Sequence, residues 1–386
     1  MTFVSKKVAN IVLRLFSVSG LTLVLLAFSS QAQAFPEFVR HGYFSCTSCH
    51  VSPSGGGILT DYGRSYAAEK LAASSVKGEE EALHGALPGE AGQGVRSWLL
   101  FGGNIRQVQT ASENPGSRDG RWIPMQRDLE ICVVQGVATA CATGGITKHT
   151  MMSQSGKAEY GLRKYSAQIQ AGESLLVRAG RFSPRFGVMT PDHNIWVQSL
   201  SGRGIDDERD QLELVYSAEK LEVAIARDQG RNDDRNLAKG YIANAMTAVT
   251  EMIRAGFSYR ISNSDSTKSQ TAGIFTAAGI DEKTYVLAEI NRQSVAPSSP
   301  GASNAIRVAS YVKAGRELRQ GLVGYAVQQV DLKEGSLSSS RRDMYGLGLQ
   351  YFPRPHIEVD AMAGKVLSRS NFTYLNTAYV LFHYYL

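Results

Sequence analysis

After residue 34 no apolar run is long enough to cross a bilayer as a helix, which excludes a helical membrane bundle. The chain has four cysteines in 386 residues, too few for a small scaffold held together by disulfides. It has no second copy of the one cysteine-pair motif it carries, which excludes a string of identical sites. Its formal charge is only +6. Three of those positive charges (Lys6, Lys7 and Arg14) fall in the first 34 residues, which contain no acid, so the rest of the chain carries +3. That balance gives no reason to expect a nucleic-acid partner. Methionine is absent between Phe35 and Gly94.

The first 34 residues have the layout of a secretory signal peptide. A basic start is followed by an apolar run from Leu15 to Phe28 and by Gln31-Ala32-Gln33-Ala34, which offers an A-x-A cleavage site. The alternative is a membrane anchor, but the run is short for a span. Cleavage after Ala34 would deliver the chain to an oxidising compartment. There Cys132 and Cys141, which flank "VVQGVATA", are expected to form a disulfide rather than remain two buried thiols.

Soon after the cleavage site comes Cys46-Thr47-Ser48-Cys49-His50. Cysteines three apart lie on one face of a helical turn, so two thioethers can hold one haem, and the next residue is carried under the iron as an axial ligand. A thioredoxin-like motif needs a βαβ context, but a Gly/Ser-rich segment, "SPSGGG", follows here. A zinc site needs a second ligand pair at suitable spacing, and none is near. The pattern therefore predicts covalent haem c on Cys46 and Cys49, with His50 on the iron. His41, five residues before Cys46, is the expected second axial ligand; His84, Met125, Met151 and Met152 stay open as alternatives. "LTDYGRSYAAEKLAAS", Leu59 to Ser74, predicts a helix. Residues 35–94 are thus expected to form a small α-helical monohaem domain whose cofactor supplies much of the core.

From Val95 to Leu386 the periodicity changes to two. In "QLELVYSAEKLEVAIA", Leu212, Leu214 and Tyr216 alternate with Gln211, Glu213 and Val215, and a second alternating run follows a short turn. "RRDMYGLGLQYFPRPHIEVDAMAG" repeats the device. About 14–16 such strands fit the region, separated by Gly, Ser, Asn and Asp clusters. The mean hydropathy of −0.18 suits a soluble all-β domain and a membrane barrel alike, because half of a barrel's strand residues face a polar lumen. The last strand, "TAYVLFHYYL", favours the barrel: Val380, Phe382, Tyr384 and Leu386 alternate to the final residue. One segment, Gly180 to Gly204, breaks the alternation. It is expected either to fold into the pore, with Arg181, Arg185, Asp192 and His193 forming a polar constriction, or to lie exposed on the surface.

A leader, a single "CTSCH" near the start of the exported chain and a barrel pattern running to "TAYVLFHYYL" together resemble the fused outer-membrane cytochrome–porins of iron-oxidising bacteria and their relatives. Those barrels usually end in Phe, and this chain ends in Leu386. The resemblance implies a transmembrane antiparallel β-barrel in the outer membrane, with a monohaem domain in the lumen or on the periplasmic side. It also implies electron transfer between an extracellular donor or acceptor, such as Fe(II), and a periplasmic cytochrome or other redox carrier. By the same resemblance, Cys46 and Cys49 attach the haem and His50 ligates it. Two other functions remain open: a solute porin with the haem domain as plug or sensor, and a haem enzyme such as a peroxidase.

Overall fold

The computed structural model describes residues 36–43, 45–76, 98–148, 158–192, 195–204, 207–231, 238–298, 304–334, 340–370 and 372–386. The expected leader, His84, Met151, Met152 and His193 lie outside these residues.

Sixteen strands account for most of the chain. They are β1 (Leu99–Asn114), β2 (Ser117–Gln135), β3 (Ala138–Lys148), β4 (Glu159–Ala171), β5 (Leu175–Phe182), β6 (Arg209–Ser217), β7 (Leu221–Asp228) and β8 (Lys239–Thr250). They continue as β9 (Ile253–Asn263), β10 (Thr267–Gly279), β11 (Thr284–Pro297), β12 (Ala305–Arg319), β13 (Leu322–Glu334), β14 (Ser340–Tyr351), β15 (Ile357–Ser368) and β16 (Thr373–Tyr385). Each strand pairs antiparallel with its sequence neighbours, and β16 pairs with β1, from Asn104 opposite Tyr385 to Glu113 opposite Asn376. The sheet is therefore a closed 16-stranded barrel with no free edge.

The period-two pattern decides which residues face in, and the polarity is inverted relative to a soluble domain. On β6, Leu212 is 53% exposed and Glu213 is 1% exposed. On β14, Leu347 is 71% exposed and Asp343 is fully buried. Leu129, Ile131, Leu162, Ile225, Ile274, Val380 and Phe382 likewise point outward. Water would penalise such an outer wall, whereas hydrocarbon would not. A closed sheet also satisfies every ladder hydrogen bond without help from solvent.

The two ends of the barrel differ. At one end the connections are short, such as 136–137, 251–252 and 320–321. The other end carries the longest connection, 183–208, between β5 and β6. In transmembrane barrels the short turns lie on the periplasmic side. Cys132 and Cys141 face each other across β2 and β3 beside one short turn and are joined by a disulfide.

Two segments fill the lumen. The first is the N-terminal stretch, fastened at the short-turn end: the Ala73 amide donates to Phe352 O at 2.8 Å, and Gln320 Nε2 donates to Ala72 O at 2.8 Å. It contains a single turn at Pro36–His41, a short turn at Cys46–Ser48 and a helix at Asp61–Tyr66 that continues as a wider turn through Leu71. This helical stretch is shorter than the one predicted over 59–74. Its start is set by Thr60, whose hydroxyl accepts the Gly63 amide as an N-cap. The second segment is the β5–β6 connection, which folds inward and carries the helix Trp196–Ser201. Val39 from the first segment packs with Val188, Ile195, Val197 and Leu200 from the second, against Tyr285, Leu287 and Tyr311 of the wall.

Candidate functional site: a walled cavity beside Cys49 and His50

The "CTSCH" turn is held by its own backbone and by the barrel. Ser45 caps it, accepting the Thr47 amide, and His50 N donates to Cys46 O at 3.0 Å. The chain then doubles back: Val51 N donates to Ile58 O at 3.0 Å and Thr60 N to Cys49 O at 2.9 Å. Between them, Gly55, Gly56 and Gly57 have φ of +75°, +68° and +69°, which bulkier residues rarely adopt. This backbone passes beside the motif: a Cβ on Gly55 would make ordinary contact with Cys46 Sγ at 3.5 Å and His50 Cδ2 at 4.0 Å.

Wall residues fix the turn inside the lumen. Ser45 Oγ donates to Glu222 at 3.1 Å on β7. Arg178 of β5 donates to Ser52 Oγ at 3.3 Å and Ser54 Oγ at 2.5 Å, while its charge is met by Glu213 at 2.9 Å. Arg185 donates to Pro53 O and pairs with Glu222 at 3.1 Å. The β5–β6 connection is pinned from the other side. Gly187 N donates to Ser258 and Val188 N to Glu289, each at 2.8 Å. Trp196 N donates to Gln329 at 2.7 Å. Asp192 accepts from Lys313 at 3.1 Å and from Tyr311 at 3.0 Å. Of the four residues expected to form a polar constriction, Arg185 and Asp192 are committed to ion pairs that tie the connection to the wall, while Arg181 lies on β5 and pairs with Asp210 of the neighbouring strand β6.

Between these two segments lies a cavity of about 230 Å³ that opens to solvent. Cys49, His50 and Gly55 line one side. Phe38, Tyr66, Leu71 and Phe182 give apolar wall, and Arg106, Lys164 and Arg203 add cationic groups; Arg163 also lines the cavity but is paired with Asp128 at 2.9 Å and with Glu208, itself a lining residue, at 2.7 Å. A haem, with an apolar face and carboxylate arms, fits that division of chemistry. Neither Cys46 nor Cys49 is in a disulfide. Burial pushes the Cys46 thiol's pKa up, so it stays protonated. Burial also pulls the His50 imidazole down to about 4, against hydrogen bonding to the backbone at Gly57 and Gly56. At neutral pH the ring is therefore uncharged, the form that ligates metals.

The structure places Cys46, Cys49 and His50 together. His41 sits elsewhere in the plug, exposed, in an aromatic group with Phe38 and Tyr43 at 6.2 Å each and Tyr66 at 6.4 Å, and it is not among the residues lining the cavity. Met125 does line it, and so does Met189, which the sequence reading did not single out. The cationic groups were also missed. Arg106, Lys164 and Arg203 come from β1, β4 and the β5–β6 connection, and no local spacing links them.

No protein-family model matches the chain, and no curated protein matches it in sequence. Solved structures do share its fold. OmpT of Vibrio cholerae superposes with a TM-score of 0.58 at 10% identity, covering 75% of this chain and 97% of OmpT. The outer membrane channel DcaP of Acinetobacter baumannii gives 0.56 at 10% identity, covering 77% of this chain and 100% of DcaP. An anion-selective porin from Comamonas acidovorans gives 0.54 at 8% identity, covering 75% of this chain and 99% of the porin. The chain therefore has the porin β-barrel fold.

Proposed function

We propose that this chain is an outer-membrane barrel that carries electrons through a single haem c held inside its lumen. The observation that carries the reading is the position of Cys49 and His50 on a walled cavity within the barrel, between the N-terminal plug and the inward-folded connection. A haem there supplies a one-electron iron couple. The chain's own residues do the rest. Cys46 and Cys49 anchor the group covalently, and neutral His50 offers a lone pair to the metal. The cationic groups face its carboxylates, and the barrel insulates the site from lipid. An apolar belt about 25 Å tall separates the two aqueous sides, and a redox centre within it divides that distance. The partners that follow are a periplasmic cytochrome or similar carrier at the short-turn end and an extracellular donor or acceptor, such as Fe(II), at the other.

A second reading is a solute porin in which the N-terminal segment acts as plug or sensor. It is favoured by the porin fold, since two of the solved barrels are described as a channel and as an anion-selective porin. A filled lumen is expected on both readings; the placing of Cys49 and His50 on the cavity is what favours the first.

The test is a haem-stained gel of separated outer membranes, run with and without boiling. The expected result is a haem-positive band whose mobility changes on boiling. Cys46→Ala with Cys49→Ala should remove the stain and keep the mobility change. Haem stain only in the soluble periplasmic fraction, or none in the wild type, would refute the proposal.

A further inference from the structure

Strands β1 and β2 pair without interruption except at one place. Arg106 lies opposite Gln126, but the next residue, Gln107, lies opposite Pro124. Met125 is thus the extra residue of a β-bulge. Elsewhere on β2 the inward side belongs to every second residue: Asp128, Glu130 and Cys132 are buried, while Leu129 and Ile131 are exposed to the outside. At the bulge this alternation fails, and the consecutive residues Met125 and Gln126 both line the cavity. A bulge disrupts the ladder and re-aims a side chain, and such features concentrate next to functional sites. Pro124 fits beside it because proline, lacking an N–H, is tolerated in strands at bulges.

What the bulge delivers is a thioether to the cavity that also holds His50. Thioether sulfur is a soft ligand suited to haem iron, and paired with histidine it raises the reduction potential. The other donors nearby are differently placed. His383 also lines the cavity, but both its ring nitrogens are engaged, with Glu358 at 2.8 Å and Asn104 at 3.0 Å. His41 does not line it. Met189 does, but it belongs to the β5–β6 connection, whereas Met125 belongs to β2, where the bulge against β1 sets it on the cavity side. A ligand on a rigid element holds its geometry more closely than one on a loop.

We propose that Met125 is the second axial ligand of the haem iron, opposite His50. The inference rests on the haem reading above and deepens it. Its test uses the purified full-length holoprotein in detergent, read by optical spectrum, haem content and midpoint potential. The ferric wild type should show the weak far-red charge-transfer band of sulfur-ligated haem. Met125→Leu, which keeps the volume, should lose that band and lower the potential, while retaining one covalent haem per chain and the heat-dependent mobility. Met189→Leu and His41→Ala should keep the band. If Met125→Leu fails to load haem, Met125→His supplies a nitrogen ligand instead and should give low-spin haem without the band. Persistence of the band in Met125→Leu, its loss in Met189→Leu, its absence from the wild type, or high-spin haem in Met125→His would overturn the assignment. A wild type without covalent haem would overturn both this inference and the function it rests on.

Discussion

Arg178 shows how single residues hold this lumen together. Its guanidinium stacks 3.6 Å above the Phe182 ring, pairs with Glu213 at 2.9 Å and reaches Ser52 and Ser54 of the plug. Both members of the ion pair are almost completely buried. Removing one partner of a buried pair costs about 3–5 kcal/mol, because the other charge is left uncompensated, whereas replacing both with apolar groups is often close to neutral. Arg178→Met should therefore lower the thermal midpoint of the folded, fast-migrating band more than Arg178→Met combined with Glu213→Leu. The midpoint is read from a temperature series of unboiled gels. Equal losses in the two variants would mean that the ion pair itself, and not the stranded carboxylate, sets the stability. Nothing at residue scale in the sequence announced this pair: Arg178 and Glu213 are 35 positions apart on strands whose pairing is known only from the closed sheet.

Among the elements, the strands were legible because alternation is a local property. Sixteen are present where about 14–16 were expected. Alternation is symmetric, however. The run Leu212, Glu213, Leu214 looks the same whether its leucines face a protein core or lipid, and only ring closure settles that they face out. The β5–β6 connection could be recognised as irregular but not as inward-folded, since its anchors Ser258, Glu289 and Gln329 lie on distant strands. The bulge left one trace, a proline directly before Met125 inside a strand pattern. The plug is the element whose pH response can be predicted. Glu37 shares Lys313 with Asp192, at 3.5 and 3.1 Å, so one cation faces two carboxylates. Burial raises the Glu37 pKa above its ordinary 4.5, and Lys313 only partly offsets this. The folded state then binds the proton more tightly than the unfolded one, so stability is full below about pH 4.5 and falls as pH rises through the shifted value. Glu37→Gln should remove that loss, stabilising the plug at neutral pH and changing little in acid. Protease protection of the N-terminal segment, followed from acidic to neutral pH, reports it. A variant less protected than wild type at neutral pH would show that the Glu37–Lys313 pair is net favourable.

As a whole molecule, the chain is a barrel with an apolar exterior, a charged interior and a lumen filled by two of its own segments. As a motif, "CTSCH" was legible because it is five adjacent residues. The cavity was not, because it is assembled from β1, β2, β4, β5, the β5–β6 connection, β16 and the plug, which meet only after the sheet closes. Two segments of the chain lie in the lumen beside the cavity. The central claim is that electrons, and not solutes, pass through it by way of that site. The most direct measurement places the purified protein in liposomes that enclose ferricyanide, adds a membrane-impermeant one-electron reductant outside, and follows bleaching of the trapped acceptor. The account predicts bleaching with the wild type, none with the Cys46→Ala, Cys49→Ala variant, and no escape of ferricyanide from either. Bleaching that is equal in the two proteins, or ferricyanide leaking out through the wild type, would contradict it and leave a solute channel.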